Sequence, residues 1–269
     1  MEMMMSCEGV AALLEDPDVV VIDCRWPVRA GTDGYRLFTI SRIPGARYLG
    51  FDATQSSRGD GVLGRAIAPE LLAASLARLG VGANSLVVAY DDNHQFTAAR
   101  LVWLLRMYGF ERSFRLDGGF PAWMRTGARV ECGAPADVPS GRDGGPALRY
   151  SSSAVAVPAD VMRLREISGT VLDCRRDESW VAEPHRIQGA TRISTRTLLD
   201  PDGLALDAHR IRELMAARGV GLNAEIITYC GASLSAAAVW LLLRSAGMPH
   251  VRLYDGSLTE WITKGLPLE

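Results

Sequence analysis

Five blocks of this 269-residue chain occur twice, in the same order. VVVIDCR (19–25) returns as TVLDCR (170–175), and SRIPGARYL (41–49) as HRIQGATRI (185–193). NSLVVAYD (84–91) returns as AEIITYC (224–230), and AARLVWLLRMYGF (98–110) as AAAVWLLLRSAGM (236–248). RLDGGFPAW (115–123) returns, with one residue of slippage, as RLYDGSLTEW (252–261). Chance does not preserve five blocks in one order, so the chain is a duplication of a single fold. The length agrees, since domains usually hold about 100–150 residues. The stretch 132–158 is rich in Pro, Gly and Ser, the composition of an exposed connector. These features predict a first domain over 1–130, a linker over 131–149 and a second domain over 150–269.

Within each copy, short β-branched runs alternate with helical patterns. VVVID, SLVVAY, TVLDC and EIITY read as strands buried on both faces. PELLAASLARL (69–79) has Pro at its first turn and Gly80 past its end, and AHRIRELMAA (208–217), closed by Gly219, fills the same slot in the second copy. Residues 100–108 and 236–245 are apolar almost all round, as buried helices are. Strands alternating with helices predict the α/β class: two domains, each a mainly parallel sheet flanked by helices. Chemistry in such sheets sits in loops beyond the carboxyl ends of the strands.

Charge and composition exclude several roles. With 29 basic and 31 acidic residues the net charge is −2, so no global field draws nucleic acid or an anionic membrane. The longest apolar run, 236–243, is far short of the roughly 20 residues that span a bilayer. The N-terminus turns acidic at once and has no basic n-region, so a cytoplasmic protein without a signal peptide is expected. Five scattered cysteines form neither a CxxC nor a Cys/His cluster at ligand spacing, so neither a metal nor any other cofactor is expected. Cytosolic cysteines stay reduced, so a special one is catalytic rather than cross-linked.

Cys230 is that special one. ITYCGASLSAAAVWLLLR reads as a strand, a six-residue loop (230–235) and a helix starting near Ala236. The small residues Gly231, Ala232, Ser233 and Ser235 let the backbone curl and turn several N–H groups inward, an anion cradle at a helix N-terminus. That setting should lower the thiol pKa of Cys230 and hold the outer sulfur of a persulfide. A cysteine ending a buried strand also serves as plain core filler. Cys24 and Cys174, each in a D-C-R run, are read that way, with Asp23–Arg25 and Asp173–Arg175 as structural ion pairs.

The whole chain resembles the tandem-domain rhodanese family, the thiosulfate and 3-mercaptopyruvate sulfurtransferases. RIPGA (42–46) resembles the family's H-[LIV]-P-G-A block, CGASLSA (230–236) its active loop, and YDGSLTEW (254–261) its C-terminal block. The resemblance implies two tandem rhodanese-like domains and sulfur transfer from a small anionic donor through a Cys230 persulfide. The acceptor would be cyanide in vitro or a thiol such as thioredoxin, glutathione or a sulfur carrier protein. It also implies a non-catalytic first domain acting as a scaffold, because Asp91 stands where Cys230 does and a carboxylate cannot take up a sulfane sulfur. Asp92 and His94 then belong to a solvated polar loop.

The loop is neutral and begins Cys-Gly, as in the mercaptopyruvate subclass. Ala232 and Ser233 depart from that pattern, and Ser233 stands where a glycine is usual. The family's donor-binding Arg-aromatic pair is replaced by Ser179-Trp180, and its first-domain His by Arg42. Gly231, Ala232, Ser233, Leu234 and Ser235 are the expected donor-binding residues. Arg42, Arg176 and Arg186 are candidates for the missing cation, each also able to serve as an ordinary surface ion pair. Two other readings stand: a non-catalytic sulfur-carrier-binding or regulatory module, and a cysteine phosphatase or arsenate reductase. The second normally needs C-x5-R, whereas here no Arg follows until Arg244.

Overall fold

The computed structural model describes residues 3–26, 33–54, 65–92, 96–135, 145–167 and 169–269. Among them, no helix is long and apolar enough to cross a membrane. The residues form two compact units: Met3–Ser56 with Ile67–Ser151, and Ser152–Glu269 joined by Arg65 and Ala66.

The first unit carries β1 (Met4–Met5), α1 (Cys7–Leu13), β2 (Val19–Asp23), α2 (Gly34–Ile40) and β3 (Arg47–Tyr48). It continues with α3 (Pro69–Arg78), β4 (Leu86–Tyr90), α4 (Thr97–Met107), β5 (Ser113–Leu116) and α5 (Gly119–Arg125). The second carries β6 (Val155–Ala156), α6 (Pro158–Glu166), β7 (Thr170–Asp173), α7 (Asp177–Ala182) and β8 (Thr191–Arg192). There follow α8 (Ala208–Ala216), β9 (Ile226–Tyr229), α9 (Leu234–Ser245), β10 (Val251–Tyr254) and α10 (Ser257–Thr263).

The strand orders are β1-β5-β4-β2-β3 and β6-β10-β9-β7-β8, the same order element for element. Every described strand pair is parallel. The central pairs share one register: Asp23 lies opposite Tyr90 in the first sheet, and Asp173 opposite Tyr229 in the second. The β-branched runs set this arrangement, because β2, β4, β7 and β9 are buried on both faces after their first residues. In the second unit Val171, Ile227, Tyr229, Tyr254 and Trp261 pack into one core cluster with Val161 and Leu164 of α6. In α4 every residue is buried, and α9 is buried from Ser235 to Leu243, as their all-round apolar composition requires.

One network occurs twice. In the second unit Arg175 forks onto Asp173 (Nη2–Oδ2 2.7 Å), and the Tyr229 hydroxyl donates to the same oxygen at 2.7 Å. In the first, Arg25 grips Asp23 at 2.6 Å while the Tyr90 hydroxyl donates to it at 2.7 Å. Both carboxylates are fully buried, so paired cations and hydroxyls are what make their burial tolerable.

The connecting stretch is hydrogen-bonded at both described ends. Glu131 exchanges backbone bonds with Arg42 at 2.9 Å each, and Arg149 N–H donates to Tyr108 O at 2.9 Å. Residues 136–144 of that stretch lie outside the described residues.

Candidate functional site

Cys230 directly follows β9, and the chain turns into α9 within three residues, Gly231–Ser233. The helix therefore starts two residues before the position predicted from sequence, and Leu234 and Ser235 form its first turn. Ser233 makes this possible by adopting the left-handed conformation (φ 65°, ψ 1°), as Phe96 does before α4 (φ 59°). A non-glycine residue rarely sits there, and the strain costs of order 1–3 kcal/mol unless surroundings hold it. Here they do. The Ser233 hydroxyl donates to Asp255 O and lies 3.2 Å from Ser257 Oγ.

The turn aims main-chain donors at the sulfur. The backbone N–H groups of Ala236, Ala232 and Ser233 face the Cys230 sulfur closely enough to favour its anion. Ser233 thus contributes its backbone while its hydroxyl points into the protein. Gly231, Ala232 and Leu234 are partly exposed along the loop, whereas Ser235 is buried and its carbonyl accepts from Thr195 Oγ1 at 3.4 Å.

The predicted fall in the thiol pKa is reversed. Burial pushes the Cys230 thiol above its ordinary value; the N–H groups of Ala236, Ala232 and Ser233 oppose that rise without cancelling it, and the Asp173 carboxylate adds to it. The side chain sits at the dry end of a sheet, with Cys230 only 4% exposed, and a thiolate there has lost the water that would solvate it. The site as it stands holds a neutral thiol beside donors already aimed at an anion.

Residues of the C-terminal block brace the loop, a role sequence reading did not assign them. Ser257 Oγ accepts from the N–H of Cys230 at 3.2 Å and donates to Tyr254 O at 3.0 Å. Leu258 N–H donates to Cys230 O at 3.0 Å, and Thr259 Oγ1 to Gly231 O at 2.9 Å. The YDGSLTEW motif held this signal, but only the fold shows which of its atoms meet the loop.

The three candidate arginines fare differently. Arg42 belongs to the first unit, is 3% exposed and is committed there to Gly133 O (2.8 Å), Ala134 O (3.3 Å) and Glu131 (3.5 Å). Arg186 pairs with Glu269 at 2.7 Å and borders the Trp180 ring at 5.6 Å. Arg176 caps the start of α7 through its backbone, and among the described residues its guanidinium has no partner. Trp180, in the Arg-aromatic segment's place, is also flanked by Arg175 and Arg192, each 4.8 Å from its ring centre.

In the first unit Asp91 occupies the position of Cys230. Its carboxylate accepts from the N–H of Ala98 at 2.9 Å and from Arg115 Nη2 at 3.1 Å. The place of the sulfur in that copy is thus taken by a carboxylate bound to the first turn of α4 and to an arginine. His94 lies outside the described residues.

A model of the rhodanese-like domain matches residues 6–126 and again 157–264. The chain belongs to the rhodanese family. It is 31% identical to a probable 3-mercaptopyruvate sulfurtransferase of Pseudomonas aeruginosa, with 97% of this chain and 95% of that one covered. It is 26% identical to the sulfur carrier protein TtuD of Thermus thermophilus, over 97% of this chain and 93% of that one. The crystal structure of SseA from Escherichia coli, described as a 3-mercaptopyruvate sulfotransferase of rhodanese fold, superposes with a TM-score of 0.83. That likeness is at 26% identity and covers 96% of this chain and 99% of that one. As a tandem-domain rhodanese the chain is a sulfurtransferase, and a phosphatase or arsenate reductase is set aside.

Proposed function

We propose that the protein takes a sulfane sulfur from a small anionic donor onto Cys230 and hands it to a thiol, with 3-mercaptopyruvate favoured over thiosulfate as donor. The observation that carries this reading is the tight turn from β9 through left-handed Ser233 into α9, which turns the N–H groups of Ala236, Ala232 and Ser233 toward one cysteine sulfur. A neutral loop of small residues supplies dipoles rather than the cations suited to a dianionic inorganic donor, and the Pseudomonas relative's name points the same way.

In the first half-reaction the Cys230 thiol loses its proton and the thiolate attacks the sulfur of the donor. An S–S bond forms and the donor's C–S bond breaks. The electron pair leaves with carbon as the enolate of pyruvate, which is then protonated. With thiosulfate, an S–S bond breaks instead and sulfite leaves. The cradle N–H groups stabilise negative charge on the attacking Cys230 thiolate and then on the outer persulfide sulfur. In the second half-reaction an acceptor thiolate attacks that outer sulfur and Cys230 is regenerated, a two-step covalent cycle with ping-pong kinetics. Thioredoxin, glutathione or a sulfur carrier protein suits the acceptor role. Because burial raises the Cys230 thiol, ionisation is coupled to donor binding rather than complete beforehand. We assign the Asp91 copy a scaffold role, and all five cysteines are free thiols, which favours a reducing, cytoplasmic setting.

Intact-mass measurement after 3-mercaptopyruvate, then after thiosulfate, tests the proposal. The expected result is one added sulfur atom on the wild type, greater with mercaptopyruvate, and none on Cys230→Ser. A Cys230→Ser protein retaining full turnover would sink the assignment. The TtuD relative supports one other reading, a carrier that holds sulfur without turning donor over. Sulfur loading that never releases pyruvate catalytically would favour it.

A further inference from the structure

Cys174 is a nucleophilic group for which the transfer cycle has no use. It follows Asp173 at the carboxyl end of β7, as Cys230 follows Tyr229 at the end of β9, and Asp173 and Tyr229 are register partners. The ladder extends one step further, with Cys174 N–H donating to Tyr229 O at 2.8 Å. Cys174 and Cys230 are thus the next pair across two parallel strands. Neighbouring strands lie about 4.7–4.9 Å apart, and side chains at paired positions share one face. A disulfide needs Cα atoms about 4.4–6.8 Å apart, a range that contains the separation of register partners on neighbouring strands.

The electrostatics agree with that placement. Burial first, and then the charge of a neighbouring Cys230 thiolate, push the Cys174 thiol well above its ordinary value. The first unit repeats the arrangement: Cys24 donates its N–H to Tyr90 O at 2.8 Å, and burial, Asp23 and then Asp91 push its thiol up. A cysteine therefore stands beside the reactive position in each copy, but only Cys174 has a sulfur for its neighbour.

We infer that Cys174 is the resolving thiol of Cys230, and that oxidised Cys230 is captured as a reversible cross-strand Cys174–Cys230 disulfide. A hydroperoxide is the oxidant. The Cys230 thiolate attacks its O–O bond, gaining one oxygen to become the sulfenic acid while the alcohol, or water from hydrogen peroxide, leaves. The Cys174 sulfur then attacks Cys230 sulfur, an S–S bond forms, the S–O bond breaks and water departs with the Cys174 proton. Two thiols are oxidised, the peroxide is reduced, and an external dithiol restores both cysteines. Without a resolving thiol, a sulfenic acid that meets further peroxide proceeds to the irreversible sulfinic and sulfonic acids. With a high pKa and full burial, Cys174 does not compete for the sulfur donor, yet it lies next to the one sulfur that needs resolving.

The test starts from the full chain carrying Cys132→Ser, which removes the exposed cysteine and with it most intermolecular cross-linking. After a brief hydrogen peroxide treatment and thiol blocking, non-reducing peptide mapping should show one linked pair, Cys174 with Cys230, and a free Cys24. Dithiothreitol should then restore most of the lost sulfur-transfer rate. In a further Cys174→Ala variant the untreated rate is retained, but the same peroxide dose causes a loss that dithiothreitol no longer reverses, with added oxygens on Cys230. The peptide map of the protein with Cys174 intact decides the matter even if Cys174→Ala folds poorly. Sulfinic acid on Cys230 with Cys174 still a free thiol would overturn the inference. So would a disulfide joining Cys230 to any other cysteine. Neither outcome touches the transfer assignment, which stands on donor-derived sulfur at Cys230.

Discussion

Arg176 and Arg186 are ten residues apart in sequence, yet their surroundings give them opposite prospects. Arg186 is held by Glu269 at 2.7 Å, a half-exposed pair of the kind worth about 0–1 kcal/mol. Arg176 has no partner among the described residues and stands directly beyond β7, one position past the buried Arg175. We propose Arg176 as the cation that meets the carboxylate of a donor, because among the described residues its guanidinium is committed to no other group. Charge-assisted hydrogen bonds contribute about 1.5–3 kcal/mol, so Arg176→Gln should raise the KM for an anionic donor roughly tenfold or more while leaving kcat nearly unchanged. Arg186→Gln should leave both constants near wild type. Steady-state kinetics on the two variants separates the assignments, and an unchanged KM for Arg176→Gln would remove Arg176 from the site. Neither residue's status was legible in the sequence, because a partner such as Glu269 lies 83 positions away.

At the scale of elements, the turn from β9 into α9 works only because α10 buttresses it. Gly256 is the tight point. A Cβ there would fall 1.7 Å from Glu260 Oε2, and Glu260 is a buried carboxylate held by Arg65 and by Lys264 at 2.9 Å. The buried Glu260 side chain would have to give way and leave both partners, so Gly256→Ala should cost about 1–3 kcal/mol in the second unit. It should also slow sulfur transfer, because Ser257, the next residue, carries the hydroxyl that braces Cys230 N–H. Thermal unfolding should shift downward by several degrees, and persulfide formation measured by mass should slow in parallel. Normal loading in a destabilised protein would show that the brace is dispensable. The sequence displayed the glycine and the motif around it. It could not display the left-handed turn at Ser233, since the hydrogen bond its hydroxyl donates to Asp255 O and its contact with Ser257 Oγ, more than 20 residues on, are what hold a serine there.

Across the whole molecule, duplication has preserved the frame and changed the contents. Each copy keeps a Tyr–Asp–Arg network beneath its loop, and its presence in the Asp91 copy marks it as structural. Each copy also buries neutral acids. Burial is the leading cause raising the thiols of Cys24, Cys174 and Cys230, and it raises the phenols of Tyr90, Tyr229 and Tyr48, the last to about 12. Such groups stay protonated in the fold but ionise in the unfolded chain at about pH 8.5 for Cys and about 10 for Tyr. Above those values the unfolded state binds fewer protons than the native one, so stability falls as pH rises. The contribution is complete below about pH 8 and is lost progressively above it. Urea midpoints should therefore decline from about pH 8 to pH 10, and a flat or rising midpoint would show that these groups ionise freely in the fold.

The duplication and the parallel α/β class were readable from the chain alone, because they rest on patterns between neighbours and between copies; the same comparison singled out Cys230 and set Asp91 opposite it as the proposed reactive and scaffold positions. Hydrophobic periodicity reports which strands are buried, and repeated blocks report which are equivalent. The sign of the Cys230 pKa shift, the commitment of Arg42 within the first unit and the strand register that sets Cys174 next to the Cys230 strand were decided only by tertiary structure. Each depends on desolvation or on distance across strands. A local motif predicts the N–H groups that surround a sulfur, but only the packed fold determines how much water is left to compete with them.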